Sequence, residues 1–193
     1  MSKVILVPGI RNRKPEDHFG DLRNLLKNEN IKSEYADYGY ILLPVTNSKA
    51  KSTIKEVAEP DDILVGYSNG GLASLEMAEE VGVKHLVLVS PAVRCDYKIP
   101  NSIESVTIFY SPGDWAVRLG KVYSVGVSLM PWRWGTPHGF GRMGSDGPCQ
   151  EDSRIKICKM HDRINHSWYT YEDQVKAVQR EVVNSYNRGI GNV

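Results

Sequence analysis

The chain has 193 residues, 24 of them basic and 23 acidic, for a formal net charge of +1. That length buries a full core without metal or disulfide staples, so a single domain over 1–193 is expected. The balanced charge argues against a nucleic-acid-binding face, and no apolar run approaches a membrane span.

Lys3 to Val7 is a short apolar run, the mark of a strand buried on both faces. It ends in Pro8-Gly9-Ile10-Arg11-Asn12. Spacing predicts a helix over 16–28, with Phe19, Leu22, Leu25 and Leu26 on one face. Ser33 to Ala36 reads as a short second strand, 37–47 as a loop and 48–58 as a helix. Asp61 to Val65 is the third predicted strand. Gly66-Tyr67-Ser68-Asn69-Gly70 follows it directly, then a helix over 69–80 carrying Leu72, Leu75, Met77 and Ala78. Lys84 to Val89, Ser105 to Tyr110 and Arg154 to Lys159 give three more strands, and an amphipathic helix over 170–187 carries Val175, Val178 and Val182. Strands alternating with helices predict an α/β fold, a mostly parallel sheet of about six strands with helices on both faces.

In such sheets ligands gather at the carboxyl ends of the strands, so the residues after each strand carry the functional reading. Gly-x-Ser-x-Gly between a strand and a helix is the context of a nucleophile elbow, with Ser68 as the nucleophile. The plain alternative is a glycine-rich turn with a capping serine. The fifth strand runs into Ser111-Pro112-Gly113-Asp114, where Asp114 is either an acid partner or an ordinary turn aspartate. The sixth runs into His161 and, five residues on, His166. His166 stands nearer the helix start and is the favoured base, with His161 its competitor and Asp162 the reserve acid.

Cys95, Cys149 and Cys158 are an odd number at no metal-ligand spacing. Reduced thiols in a cytoplasmic setting are expected, with a Cys149–Cys158 bridge as the alternative. The first strand begins almost at Met1, so no secretory signal is expected. No cofactor and no metal are expected either, because no constellation has the spacing for one.

With these residues in order, the chain resembles the α/β-hydrolase superfamily, and in particular its small cap-less serine hydrolases and esterases lacking the first two strands. The order Ser68, Asp114, His166 matches that family's triad. The Pro8-Gly9-Ile10 turn resembles its oxyanion loop, with a proline where the family usually has histidine. The resemblance implies cleavage of a small-molecule carboxylic ester, a short acyl group favoured, with the backbone N–H groups of Ile10 and Asn69 receiving the oxyanion. Thioester and amide substrates use the same groups, and a non-catalytic binding module on the same fold is the rival reading. The Ser90–Glu104 segment is too short for the family's helical cap. An irregular Gly-, Pro- and aromatic-rich loop at about 118–150 is expected near the site instead. Tyr67, Trp115, Trp132 and Trp134 are candidates for substrate contact, with core or loop packing as the alternative for each.

Overall fold

The computed structural model describes residues 2–10, 14–39, 47–119 and 141–190. Six strands form one sheet: β1 Val4–Val7, β2 Ser33–Tyr35, β3 Ile63–Tyr67, β4 His85–Val89, β5 Ser105–Tyr110 and β6 Ile155–Lys159. Their order is β2-β1-β3-β4-β5-β6, and every adjacent pair is parallel. The helices are α1 Glu16–Asn28, α2 Ser48–Val57, α3 Asn69–Val81, a helical stretch including residues 115–119 (α4), α5 Met143–Asp146 and α6 Glu172–Ile190. A 3₁₀ turn over Trp168–Thr170 leads into α6.

Alternation along the strands divides the core in two. Ile5, Val7, Leu64, Leu86, Leu88 and Ile108 pack with Ala50 and Ile54 of α2 and with Leu72 and Leu75 of α3. Val4, Leu6, Val65, Val87, Val89 and Phe109 pack with Phe19, Leu22 and Leu26 of α1 and with Val175, Val178 and Val182 of α6. Burial on both faces is why these strands read as unbroken apolar runs. Strand β6 departs from that pattern. It lies at the sheet edge, its Ile157 is exposed, and Lys156 and Lys159 charge it, a device that discourages edge-to-edge pairing.

Three local outcomes differ from the expectations. Strand β3 continues two residues past Val65, because Gly66 and Tyr67 pair in register with Leu88 and Val89 of β4. Helix α3 then starts at Asn69, so Ser68 alone makes the turn. The expected loop at 118–150 holds the short helix α5, whose Gly144 donates to Pro91 O at 2.8 Å and accepts from Ser111 N at 2.9 Å. Residues 120–140 of that loop lie outside the described residues. The cysteine expectation is corrected: Cys95 and Cys149 form a disulfide and Cys158 is free. The reason is a backbone seam. Residues 141–149 return beside the segment after β4, with Met143 N donating to Val93 O at 2.7 Å and Cys149 N to Cys95 O at 2.9 Å. Cys158 is held instead in β6, packed toward the α1/α6 side.

No helix among the described residues is long and apolar enough to cross a membrane. Strand β1 lies between β2 and β3, so the strand order reverses there. Such a reversal opens a crevice at the carboxyl ends of the two diverging strands. The turn after β1 and Ser68 after β3 share that crevice.

Candidate active site

Ser68 has φ 54° and ψ −122°, a conformation non-glycine residues rarely adopt, costing on the order of 1–3 kcal/mol. Its surroundings fix it. Ser68 N donates to Val89 O, and Ser68 O accepts from Gly71 N and Ala92 N, each at 3.0 Å. Gly70 explains the tightness of the turn. A Cβ there would lie 2.3 Å from the carbonyl oxygens of both Val7 and Pro8, so only glycine lets α3 begin against the end of β1.

From this turn a chain of hydrogen bonds crosses the rim. Ser68 Oγ lies 3.0 Å from His166 Nε2. His166 Nδ1 lies 2.9 and 3.0 Å from the two carboxylate oxygens of Asp114. A carboxylate accepts and does not donate, so the Nδ1–H points at Asp114 and Nε2 presents its lone pair to the serine hydroxyl. Asp114 is fully buried while the His166 side chain is one-quarter exposed, so the pair opens toward solvent at the serine end. Val117 N donates to Asp114 Oδ1 at 3.1 Å and helps fix the carboxylate.

Supporting residues join the loops that carry these groups. Ser111 Oγ bonds to the carbonyls of Ile164, at 2.5 Å, and His161, at 3.1 Å, which ties the Asp114 loop to the His166 loop. Tyr67 donates its hydroxyl to His166 O at 2.6 Å, and its ring lies 4.9 Å from the imidazole, tilted by 35°. Behind Tyr67 stand His18, edge-on at 4.8 Å, and Tyr169 and Trp168 at 6.1 and 6.4 Å. Burial, and secondly the nearby charge of His166, pushes the His18 imidazole down to about 4, so it stays neutral beside the site.

Another group of residues holds the turn after β1. A Cβ on Gly9 would lie 3.0 Å from Ser68 Cβ, so this turn passes directly against the serine. Buried Tyr38 donates its hydroxyl to Pro8 O, and burial pushes the phenol up, which keeps it a donor. Asn69, the first residue of α3, sends its amide to Asn47 Oδ1 at 2.9 Å, and Asn47 Nδ2 continues to Glu76 at 3.4 Å. The backbone N–H of Asn69 belongs to the first turn of α3, whose donors have no intrahelical partner. Ile10 follows Gly9 on the other side of the crevice.

No protein-family model and no curated protein matches the chain. Solved structures do. Mouse alpha/beta hydrolase domain-containing protein 10 superposes with a TM-score of 0.61 at 13% identity, covering 96% of this chain and 90% of that one. The esterase domain of a Rhodothermus marinus protein gives 0.60 at 13%, covering 96% and 86%. An alpha/beta superfamily hydrolase from Oenococcus oeni gives 0.57 at 11%, covering 97% and 93%. This chain has the α/β-hydrolase fold. As expected from the sequence, its sheet is the six-strand form of that architecture.

Within this α/β-hydrolase framework the other candidates take definite places. His161 is exposed, and its Nδ1 accepts from Arg163 N at 3.1 Å in a local turn. Asp162 pairs with Lys159 at 3.2 Å on the surface. Neither joins the chain from Ser68. Tyr67 is 2% exposed and turned toward His166, whereas Trp115 is 61% exposed at the start of α4. Trp132 and Trp134 lie outside the described residues. No group of His, Cys, Asp and Glu among the described residues is arranged to hold a metal. Sequence reasoning missed Ser111, Tyr38 and His18. Ser111 carried a faint signal as the first residue past a buried strand, His18 read as a structural histidine, and Tyr38 fell in the loop expected over 37–47.

Proposed function

We propose that the protein is a serine hydrolase that cleaves a small-molecule carboxylic ester through an acyl-enzyme. The observation that carries this reading is the continuous hydrogen-bonded line from Ser68 Oγ through His166 to buried Asp114, with Ser68 held at positive φ. In the first step Ser68 Oγ attacks the ester carbonyl carbon while His166 Nε2 takes the hydroxyl proton. Asp114 holds the imidazole in the tautomer this needs and stabilises the imidazolium. The negative charge on the carbonyl oxygen is received by the N–H groups of Asn69 and Ile10, each such donor worth roughly 3 kcal/mol of barrier. The imidazolium returns its proton to the leaving alkoxide. Water, deprotonated by the same nitrogen, then attacks the acyl carbon, and the imidazolium gives that proton to Ser68 Oγ as the Oγ–carbon bond breaks, freeing the acid and the serine hydroxyl.

A short acyl group is favoured because residues 90–104, between β4 and β5, contain no helix to enclose a deep pocket. The test is a panel of nitrophenyl esters of increasing acyl length with wild type and Ser68→Ala. Hydrolysis that is fastest with the shortest chains and abolished in Ser68→Ala is expected. Wild-type rates in a folded Ser68→Ala variant would end the proposal.

A further inference from the structure

We propose that Tyr67, the residue before Ser68, is a positioning residue that holds His166 in its working orientation by a hydrogen bond and a ring face together. The inference rests on the serine-hydrolase reading and deepens it. His166 is on a loop, between the turn after β6 and the 3₁₀ turn, and a loop histidine needs external restraint to keep both ring nitrogens aligned. Asp114 restrains only Nδ1. Tyr67 supplies two further restraints from the rigid end of β3. Its hydroxyl donates to the His166 carbonyl oxygen at 2.6 Å, fixing the backbone. Its ring, 4.9 Å away and tilted by 35°, limits how far the imidazole can swing.

The position of Tyr67 makes it suited to this. It pairs in register with Val89 of the adjacent strand, so its backbone is set by the sheet. Its ring is boxed by His18, Phe19, Trp168 and Tyr169 in near-perpendicular or tilted contacts. Burial pushes the phenol well above its ordinary value, so the hydroxyl remains a donor. The face of a phenol ring attracts a cation, so the same contact favours the imidazolium formed when Ser68 gives up its proton. His18, packed edge-on against Tyr67, is neutral and does not oppose that charge.

Tyr67→Phe removes the hydrogen bond and keeps the ring, while Tyr67→Leu removes both. With rates corrected for the folded fraction, Tyr67→Phe should lower kcat roughly tenfold and Tyr67→Leu roughly a hundredfold, with KM within twofold of wild type. The low-field proton resonance of His166 Nδ1–H should persist in Tyr67→Phe and be lost in Tyr67→Leu. Wild-type kcat in both variants, or a raised KM at unchanged kcat, overturns the proposal, the second result making Tyr67 a substrate contact. The resonance does not depend on turnover, so it separates the two readings. If wild type fails to hydrolyse esters, the serine-hydrolase reading falls, and an unaltered resonance in Tyr67→Leu overturns the positioning role as well.

Discussion

Asparagine in place of Asp114 keeps the shape of the buried acid and changes one property, since its amide can donate to His166 Nδ1. That hydrogen bond stabilises the tautomer with the proton on Nε2, which cannot accept from Ser68. Asp114→Asn should therefore lower kcat by about four orders of magnitude with KM little changed. Steady-state kinetics on the fastest ester check it. His18 gives a different expectation at the same scale. Its folded-state value of about 4 lies below the 6.5 of an unfolded histidine, so the unfolded chain takes up the proton first as pH falls. The contribution of neutral His18 to stability is complete above pH 6.5 and is lost as pH drops toward 4, on the order of 3 kcal/mol across that window. Urea unfolding at pH 7 and pH 4.5 should show a steeper acid loss for wild type than for His18→Phe. Equal slopes would mean His18 is protonated in the folded protein. Ser68, Asp114 and His166 were legible as candidates, because Ser68 directly follows β3 and the other two lie in the loops that follow β5 and β6. His18 and Tyr38 were not, because their roles come from contacts made across the fold.

At the scale of elements, the β3–α3 turn and the seam between residues 91–95 and 141–149 make opposite demands. The turn depends on close approach. Gly70→Ala puts a methyl into the Val7 and Pro8 carbonyls, and should cost several kcal/mol or displace the turn after β1. A lowered melting temperature together with loss of the proposed ester hydrolysis is the expected result. The seam depends on a covalent tie. The Cys95–Cys149 bridge closes a loop with a sequence separation of 54, which corresponds to about 4 kcal/mol in the chain-entropy account. The Cys95→Ser/Cys149→Ser double variant should melt several degrees lower, and reductant should shift wild type but not the variant. This tie was illegible because it follows from the path of residues 141–149, and three cysteines at irregular spacing do not encode a path. It also removes the argument for a reducing compartment that the cysteine count had supplied, since disulfides persist in oxidising surroundings.

For the molecule as a whole, the six-strand parallel sheet was readable in outline because strands buried on both faces carry a strong and simple pattern. What the pattern left out was the edge. Strand β6 is half exposed and charged, and it was recognisable through its place in the strand–helix alternation more than through its composition. The packing of the α1/α6 layer carries a stability expectation. Trp168 is fully buried beside Phe19 and Tyr67, and Trp168→Ala should lower stability by about 3–5 kcal/mol and loosen the His166 loop with it. A larger drop in ester hydrolysis than the folded fraction accounts for would carry that coupling.

The kinetic expectations turn on one hydroxyl being activated by one imidazole. Incubating the purified protein with a fluorophosphonate probe and mapping the adduct by peptide mass tests that directly. Labelling at Ser68, abolished in His166→Ala, is the expected result. An unlabelled Ser68 in protein whose fold is intact would contradict the account.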